Sequence, residues 1–152
     1  MIDVTTTMPV HRDQVWAVLA DGWSYAGWVV GATHVRDVDE GWPAVGARIH
    51  HSVGPWPLVL KDATKVVTAE PGRLLELDAH AWPFGMARVR LELTEIGPAT
   101  TDVRMSEEAR EGPGRLLPKP VQAALLIPRN RESLARLAHL AAGRPAVTGA
   151  QR

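Results

Sequence analysis

The chain reads as an α+β domain, a curved sheet of seven antiparallel strands with a long C-terminal helix on its apolar face and two short helices after the first strand. Three observations predict it. β-Rich runs recur about every 12 residues between positions 33 and 109, each bounded by Gly/Pro punctuation. Such spacing admits hairpins only, since a parallel crossover needs roughly a dozen residues or more. Residues 121–142 carry an apolar stripe at helical period, and a helix stripe and a one-sided sheet bury their apolar surfaces by packing together.

Each element follows from local pattern. Over residues 2–7, Ile2, Val4 and Thr6 alternate with Asp3, Thr5 and Thr7, a period of two dominated by β-branched residues, and so a strand. A helix is expected next, with Pro9 in its first turn and Asp13 near its start. Val15, Val18 and Leu19 form its apolar face, and Gly22 ends it. Residues 23–30 are too short and Gly-broken for a long helix and read as a second short helix or turn. Breaks at Gly41-Trp42-Pro43, Gly54-Pro55-Trp56-Pro57, Glu70-Pro71-Gly72, Trp82-Pro83-Phe84-Gly85 and Gly97-Pro98 leave six strands, at about 33–39, 47–53, 58–69, 73–81, 86–95 and 100–109. The closing helix contains Pro128, which removes one backbone donor and predicts a kink or break. The domain is expected to span residues 1–142, with 143–152 a frayed tail.

Composition excludes several classes of function. The sequence has 152 residues, 17 basic and 17 acidic side chains, and no cysteine. Zero net charge without a Lys/Arg run lacks the footprint of a nucleic-acid binder or a polybasic membrane anchor. Without cysteine there is no disulfide framework, thiol chemistry or Cys-based zinc site. No stretch reaches the roughly 18 apolar residues of a membrane span, and a cytoplasmic location is expected. A chain of this length buries about 68–70% of its unfolded surface, enough for one core, packed or hollow.

Strand alternation sorts residues by face. On 86–95 the inward set is Ala87, Val89, Leu91 and Leu93; on 73–81 it is Leu75, Leu77, Ala79 and Ala81, which leaves His80 in solvent. Three strands put polar groups inward: His51 beside Ala47, Ile49 and Val53; Asp62 and Thr64 beside Leu58, Leu60 and Val66; and Thr101 and Glu107 beside Val103, Met105 and Ala109. The helix face that looks down on them carries Ala123, Leu126, Ile127, Asn130, Leu134, Leu137 and Ala141, with Arg129, Glu132, Arg136 and His139 elsewhere. Arg129 and Arg131 near Lys119 read as a solvated helix face. A bulge would turn His51 or Glu107 to solvent, and Asp62 lies near a strand end. As a set, however, His51, Asp62, Glu107 and Asn130 must be paired, hydrated or used, because burying a neutral polar group without a partner costs about 1–3 kcal/mol and a charge more. A ligand cavity with apolar walls and a few convergent polar groups meets that need.

Alternate connections of a meander lie at one sheet end, which groups loops 54–57, 82–85 and 110–120. Trp56 and Trp82 on these Pro-stiffened loops read either as the rim of a cavity mouth or as plugs of the sheet end. There is no phosphate loop, nucleophile elbow or HExxH helix, and no cofactor is implied. His50 and His51 are adjacent in a strand, so their rings face opposite ways and do not share an ion. A metal site from His51, Asp62 and Glu107 lacks any motif.

The element order, with Val15-Trp16-Ala17-Val18-Leu19-Ala20-Asp21, Gly41-Trp42-Pro43-Ala44-Val45-Gly46, Trp56-Pro57-Leu58 and Arg129-Asn130-Arg131-Glu132-Ser133-Leu134, resembles the helix-grip superfamily of the birch-pollen allergen, START domains and polyketide cyclases. The similarity is nearest to bacterial SRPBCC, or polyketide cyclase/dehydrase-like, proteins and covers nearly the whole chain. It implies a small hydrophobic ligand, lipid-like, aromatic or polyketide-like, held between sheet and helix. His51, Asp62, Thr64, Leu77, Ala79, Val89, Leu91, Met105, Glu107, Ile127, Asn130 and Leu134 are the expected lining, with Trp56 and Trp82 at the mouth. Two readings stay open: a carrier, or a cyclase/aromatase/dehydratase-like enzyme with His51 and Glu107 or Asp62 as acid and base in an apolar pocket. A third is a contact domain using the Trp-Pro rim. Monomer and homodimer are both compatible with the sequence.

Overall fold

The computed structural model describes residues 1–31, 34–53, 60–81 and 85–146. The strands are β1 (Ile2–Met8), β2 (His34–Val38), β3 (Arg48–Val53), β4 (Leu60–Glu70), β5 (Leu74–Ala81), β6 (Gly85–Gly97) and β7 (Thr100–Glu111). They form one antiparallel sheet in the order β1-β7-β6-β5-β4-β3-β2. The meander from β2 to β7 follows from the short Gly/Pro connections, and β1 then closes on β7, pairing Val4 with Met105. Helices α1 (Arg12–Leu19) and α2 (Tyr25–Trp28) follow β1, and α3 (Lys119–Ala142) ends the fold. The helix packs on β1, β7, α1 and α2, which gives the α+β arrangement of one antiparallel sheet and a long helix that the periodicities predict, in the helix-grip order that the resemblance implies.

Local chemistry sets the boundaries. Pro9 precedes α1 instead of opening it, because Val10 is buried in the core and its carbonyl accepts a hydrogen bond from Thr101 Oγ1 at 2.9 Å, so the helix begins only at Arg12. His11 is the N-cap, and its backbone N–H donates to Gln14 Oε1 at 2.8 Å. The Gln14 amide in turn donates to the carbonyls of Ala141 and Arg144, at 3.3 and 2.8 Å, joining the two ends of the chain's helical layer. Arg144 also donates to Asp21 at 2.7 Å, so the segment expected to fray from Gly143 is held through Arg144. Pro128 lies inside a continuous α3, where it breaks no helix but withholds the N–H that the Ala124 carbonyl would accept.

The core lies between α3 and the concave set of strand residues. Val103, Leu91, Leu77, Val66 and Ile49, one from each of five neighbouring strands, are almost fully buried in one core cluster with Leu134 and Leu137 of α3. Register shifts between Val66 and Thr68, and between Met86 and Ala87, mark bulges that bend their strands. Gly85 opens β6 with φ +103°, and a Cβ there would overlap the Glu111 carbonyl, so only glycine lets β6 and β7 approach this closely.

Candidate functional site

Where the core gives out, toward β3 and the N-terminal half of α3, the same inward positions carry polar groups. His51 of β3 is 4% exposed and stands opposite Asp62 in the register, two pairs along from Ile49 and Thr64. Its Nε2 is 3.0 Å from Thr64 Oγ1, and Tyr25 Oη is 3.5 Å from the same hydroxyl. The Tyr25 and His51 rings are nearly parallel with centroids 6.3 Å apart, and Trp28 meets Tyr25 edge-on at 5.7 Å. Burial lowers the His51 pKa below the ordinary histidine value, with the Asp62 charge opposing it in part. The ring is therefore neutral near pH 7. Burial likewise raises the Tyr25 hydroxyl, against the Thr64 hydrogen bond, and the phenol stays protonated. His51 Nδ1 is buried without a hydrogen-bond partner. An unmet acceptor costs less than an unmet N–H, which favours the tautomer with its proton on Nε2, donated to Thr64, and a lone pair on Nδ1.

Glu107 of β7 is 5% exposed, and α3 supplies its partners. Both carboxylate oxygens accept from Arg129 Nη2, and Oε2 accepts from Asn130 Nδ2 at 2.9 Å. Arg129 also donates to Asn130 Oδ1 at 3.3 Å, closing a triangle of three side chains. The sequence placed Arg129 on a solvated face. Its guanidinium instead reaches round the helix edge to Glu107, because a carboxylate at that depth needs a cation and Arg129 is long enough to bring one while staying one-third exposed. This corrects the expectation of a carboxyl standing among apolar groups.

Between these two clusters lies a cavity of about 230 Å³ under α3. Of the expected residues, His51, Leu77, Ala79, Val89, Met105, Glu107 and Asn130 line it. Thr64 is fully buried behind His51, while Leu91 and Leu134 are packed in the core and Ile127 borders it. Asp62 stands aside: its carboxylate accepts from the Ala63 N–H at 2.8 Å and lies 3.6 Å from the exposed His80. Trp56 and Trp82 lie outside the described residues.

The lining also includes Tyr25, Trp28, Val29 and Val30 of the α2 region, and Arg129 and Ser133 of α3, none of which the sequence marked as lining. Tyr25 and Trp28 are three apart in a helical turn, a same-face spacing that was readable. Their distance from the sheet in sequence hid what they cover. Ser133 Oγ accepts from the Val30 N–H at 3.1 Å and pins that segment to α3. Among the described residues no three or more His, Asp or Glu side chains are placed to hold a metal, and no helix is long and apolar enough to cross a membrane.

A seven-stranded antiparallel sheet gripping a C-terminal helix, with a cavity between them, defines the class as a helix-grip domain. Residues 1–142 match the family model described as polyketide cyclase / dehydrase and lipid transport, and the chain belongs to that family. No curated protein matches the sequence. Among solved structures it is similar to the Zhui aromatase/cyclase from Streptomyces sp. R1128 (18% identity, TM-score 0.68, covering 97% of this chain and 96% of that one). It is similar as well to a Rhodobacter sphaeroides protein (19% identity, TM-score 0.70, 94% and 92% covered) and to Ara h 8.0201 (12% identity, TM-score 0.63, 93% and 97% covered).

Proposed function

We propose that this protein binds and carries a small, mostly apolar molecule in the cavity between its sheet and α3. The observation that carries this reading is the uneven wall of that cavity. Tyr25, Trp28, Leu77, Val89 and Met105 offer apolar surface, while the polar groups gather at two places in the wall, Glu107, Arg129 and Asn130 at one and His51 and His80 at the other. Affinity comes from apolar burial, worth about 25 cal/mol per Å² before ordering costs, and the polar groups orient a hydroxyl or carbonyl of the ligand. The family description, which includes lipid transport, supports the same class of ligand. Incubation with a panel of lipids and aromatic metabolites, read by native mass spectrometry and Trp fluorescence, tests it. A bound species of defined mass is expected; a panel without binders, together with a solvent-free interior, overturns it.

A second reading rests on His51. A neutral imidazole with a lone pair on Nδ1, set by Thr64 and bordering the cavity, is suited to accept a proton from a bound molecule, as an acid-base cyclase or dehydratase requires. The similarity to an aromatase/cyclase supports it at the level of fold. Under this reading His51→Ala and Glu107→Gln abolish turnover of a polyketide-like substrate while binding stays measurable. Parallel loss of binding and turnover favours the carrier. We further propose a cytoplasmic monomer or homodimer, which cell fractionation and solution mass check.

A further inference from the structure

A second cavity, of about 270 Å³, lies on the other side of the Glu107–Arg129 pair. Met86 and Ala109 of the sheet, Leu117 before α3, and Leu125 and Leu126 on α3 wall it. The two cavities share three residues: Ala87, Glu107 and Arg129. Small-molecule sites usually enclose about 300–1,000 Å³. Neither cavity reaches that range, but about 230 and about 270 Å³ give about 500 Å³ if they open into one another.

We propose that the Glu107–Arg129 ion pair is a partition that sets the length of ligand this protein accepts, and that a long, rod-shaped apolar ligand enters both cavities only when Arg129 swings aside. This rests on the cavity reading above and adds which side chain limits ligand size. The two partners differ in freedom. Glu107 is rooted in β7, a strand paired on both sides by β1 and β6, is nearly fully buried, and keeps its Asn130 hydrogen bond when Arg129 leaves. Arg129 is one-third exposed at the helix edge, so its guanidinium reaches water by side-chain rotation alone. It follows Pro128, where α3 lacks one backbone hydrogen bond. The lining on both sides is mostly apolar, so the charged pair is the part of the shared wall that a long apolar molecule meets at a cost.

Two neutral fluorescent probes test this on the full chain: compact N-phenyl-1-naphthylamine and the rod-shaped 1,6-diphenylhexatriene. The readout is the ratio of their affinities. The wild type is expected to favour the compact probe, and Glu107→Gln with Arg129→Met, which removes both charges together, raises the rod-to-compact ratio at least tenfold. Adding Leu126→Phe, which narrows the second cavity with a larger ring, brings the ratio back down. Arg129→Gln, a shorter neutral donor facing the intact Glu107, gives the same direction if the double variant does not fold. An unchanged ratio in the variants, or equal affinity of the wild type for both probes, overturns the partition and leaves the cavity reading standing. Failure of both probes to bind any form overturns the cavity reading and the partition with it.

Discussion

At the scale of single residues, the buried polar groups carry the testable consequences. The His51 pKa is lowered in the folded state, so below about pH 6.5, the usual histidine value, the unfolded chain binds a proton that the native one does not. This contribution leaves stability unaffected above that value and erodes it as pH falls toward the folded-state pKa. Thermal unfolding scans from pH 7.5 to 5 are expected to show a steeper loss for the wild type than for His51→Gln. The Glu107–Arg129 pair makes a complementary prediction. Arg129→Ala leaves a buried carboxylate with Asn130 alone, and breaking a buried pair costs about 3–5 kcal/mol when both ions are enclosed. Because Arg129 is one-third exposed and water partly replaces it, about 1–3 kcal/mol is expected in urea unfolding at neutral pH, with Glu107→Gln/Arg129→Met recovering much of the loss. Arg129 shows where residue-level reading of the sequence stopped. Alternation placed Glu107 inward, but the identity of its cation depended on a side chain reaching round a helix edge, which periodicity does not encode.

At the scale of elements, α3 and the β6–β7 hairpin do the most positioning. Leu134 was expected to touch ligand, yet it sits fully buried in the core, and Leu134→Ala should cost about 2–5 kcal/mol in denaturant unfolding. Gly85 answers to backbone geometry instead. Gly85→Ala forces a side chain into the left-handed region and against the Glu111 carbonyl, and a loss of about 2–4 kcal/mol is expected, accompanied by faster amide exchange at the β6–β7 end. Strand limits were legible to within a few residues because Gly and Pro punctuate this chain so regularly. The start of α1 was not. Pro9 has the right chemistry for a first helical turn, but burial of Val10 and its bond from Thr101, 91 residues away, held that stretch out of the helix.

For the whole molecule, binding and folding are linked. A ligand that fills the cavity under α3 stabilises only the folded chain, by about 2.7 kcal/mol at a hundredfold excess over its Kd. In a domain of this size 1 kcal/mol corresponds to about 2–4 °C, so a rise of about 5–10 °C in Tm is expected from a true cavity ligand and none from a surface binder, as differential scanning fluorimetry reads. The order of elements, the α+β class, the inward faces of β5, β6 and β7 and the depth of His51, Glu107 and Asn130 were all determined by the sequence itself. They depend on periods of two and 3.6 and on Gly/Pro breaks, which are local. Tertiary structure alone decided that Tyr25 and Trp28 line the cavity, that Asp62 is not part of its wall, and that Arg129 pairs with Glu107 where two cavities adjoin. Those outcomes depend on which elements meet across the fold, and burial acts on a side chain only once its neighbours, distant in sequence, have closed over it.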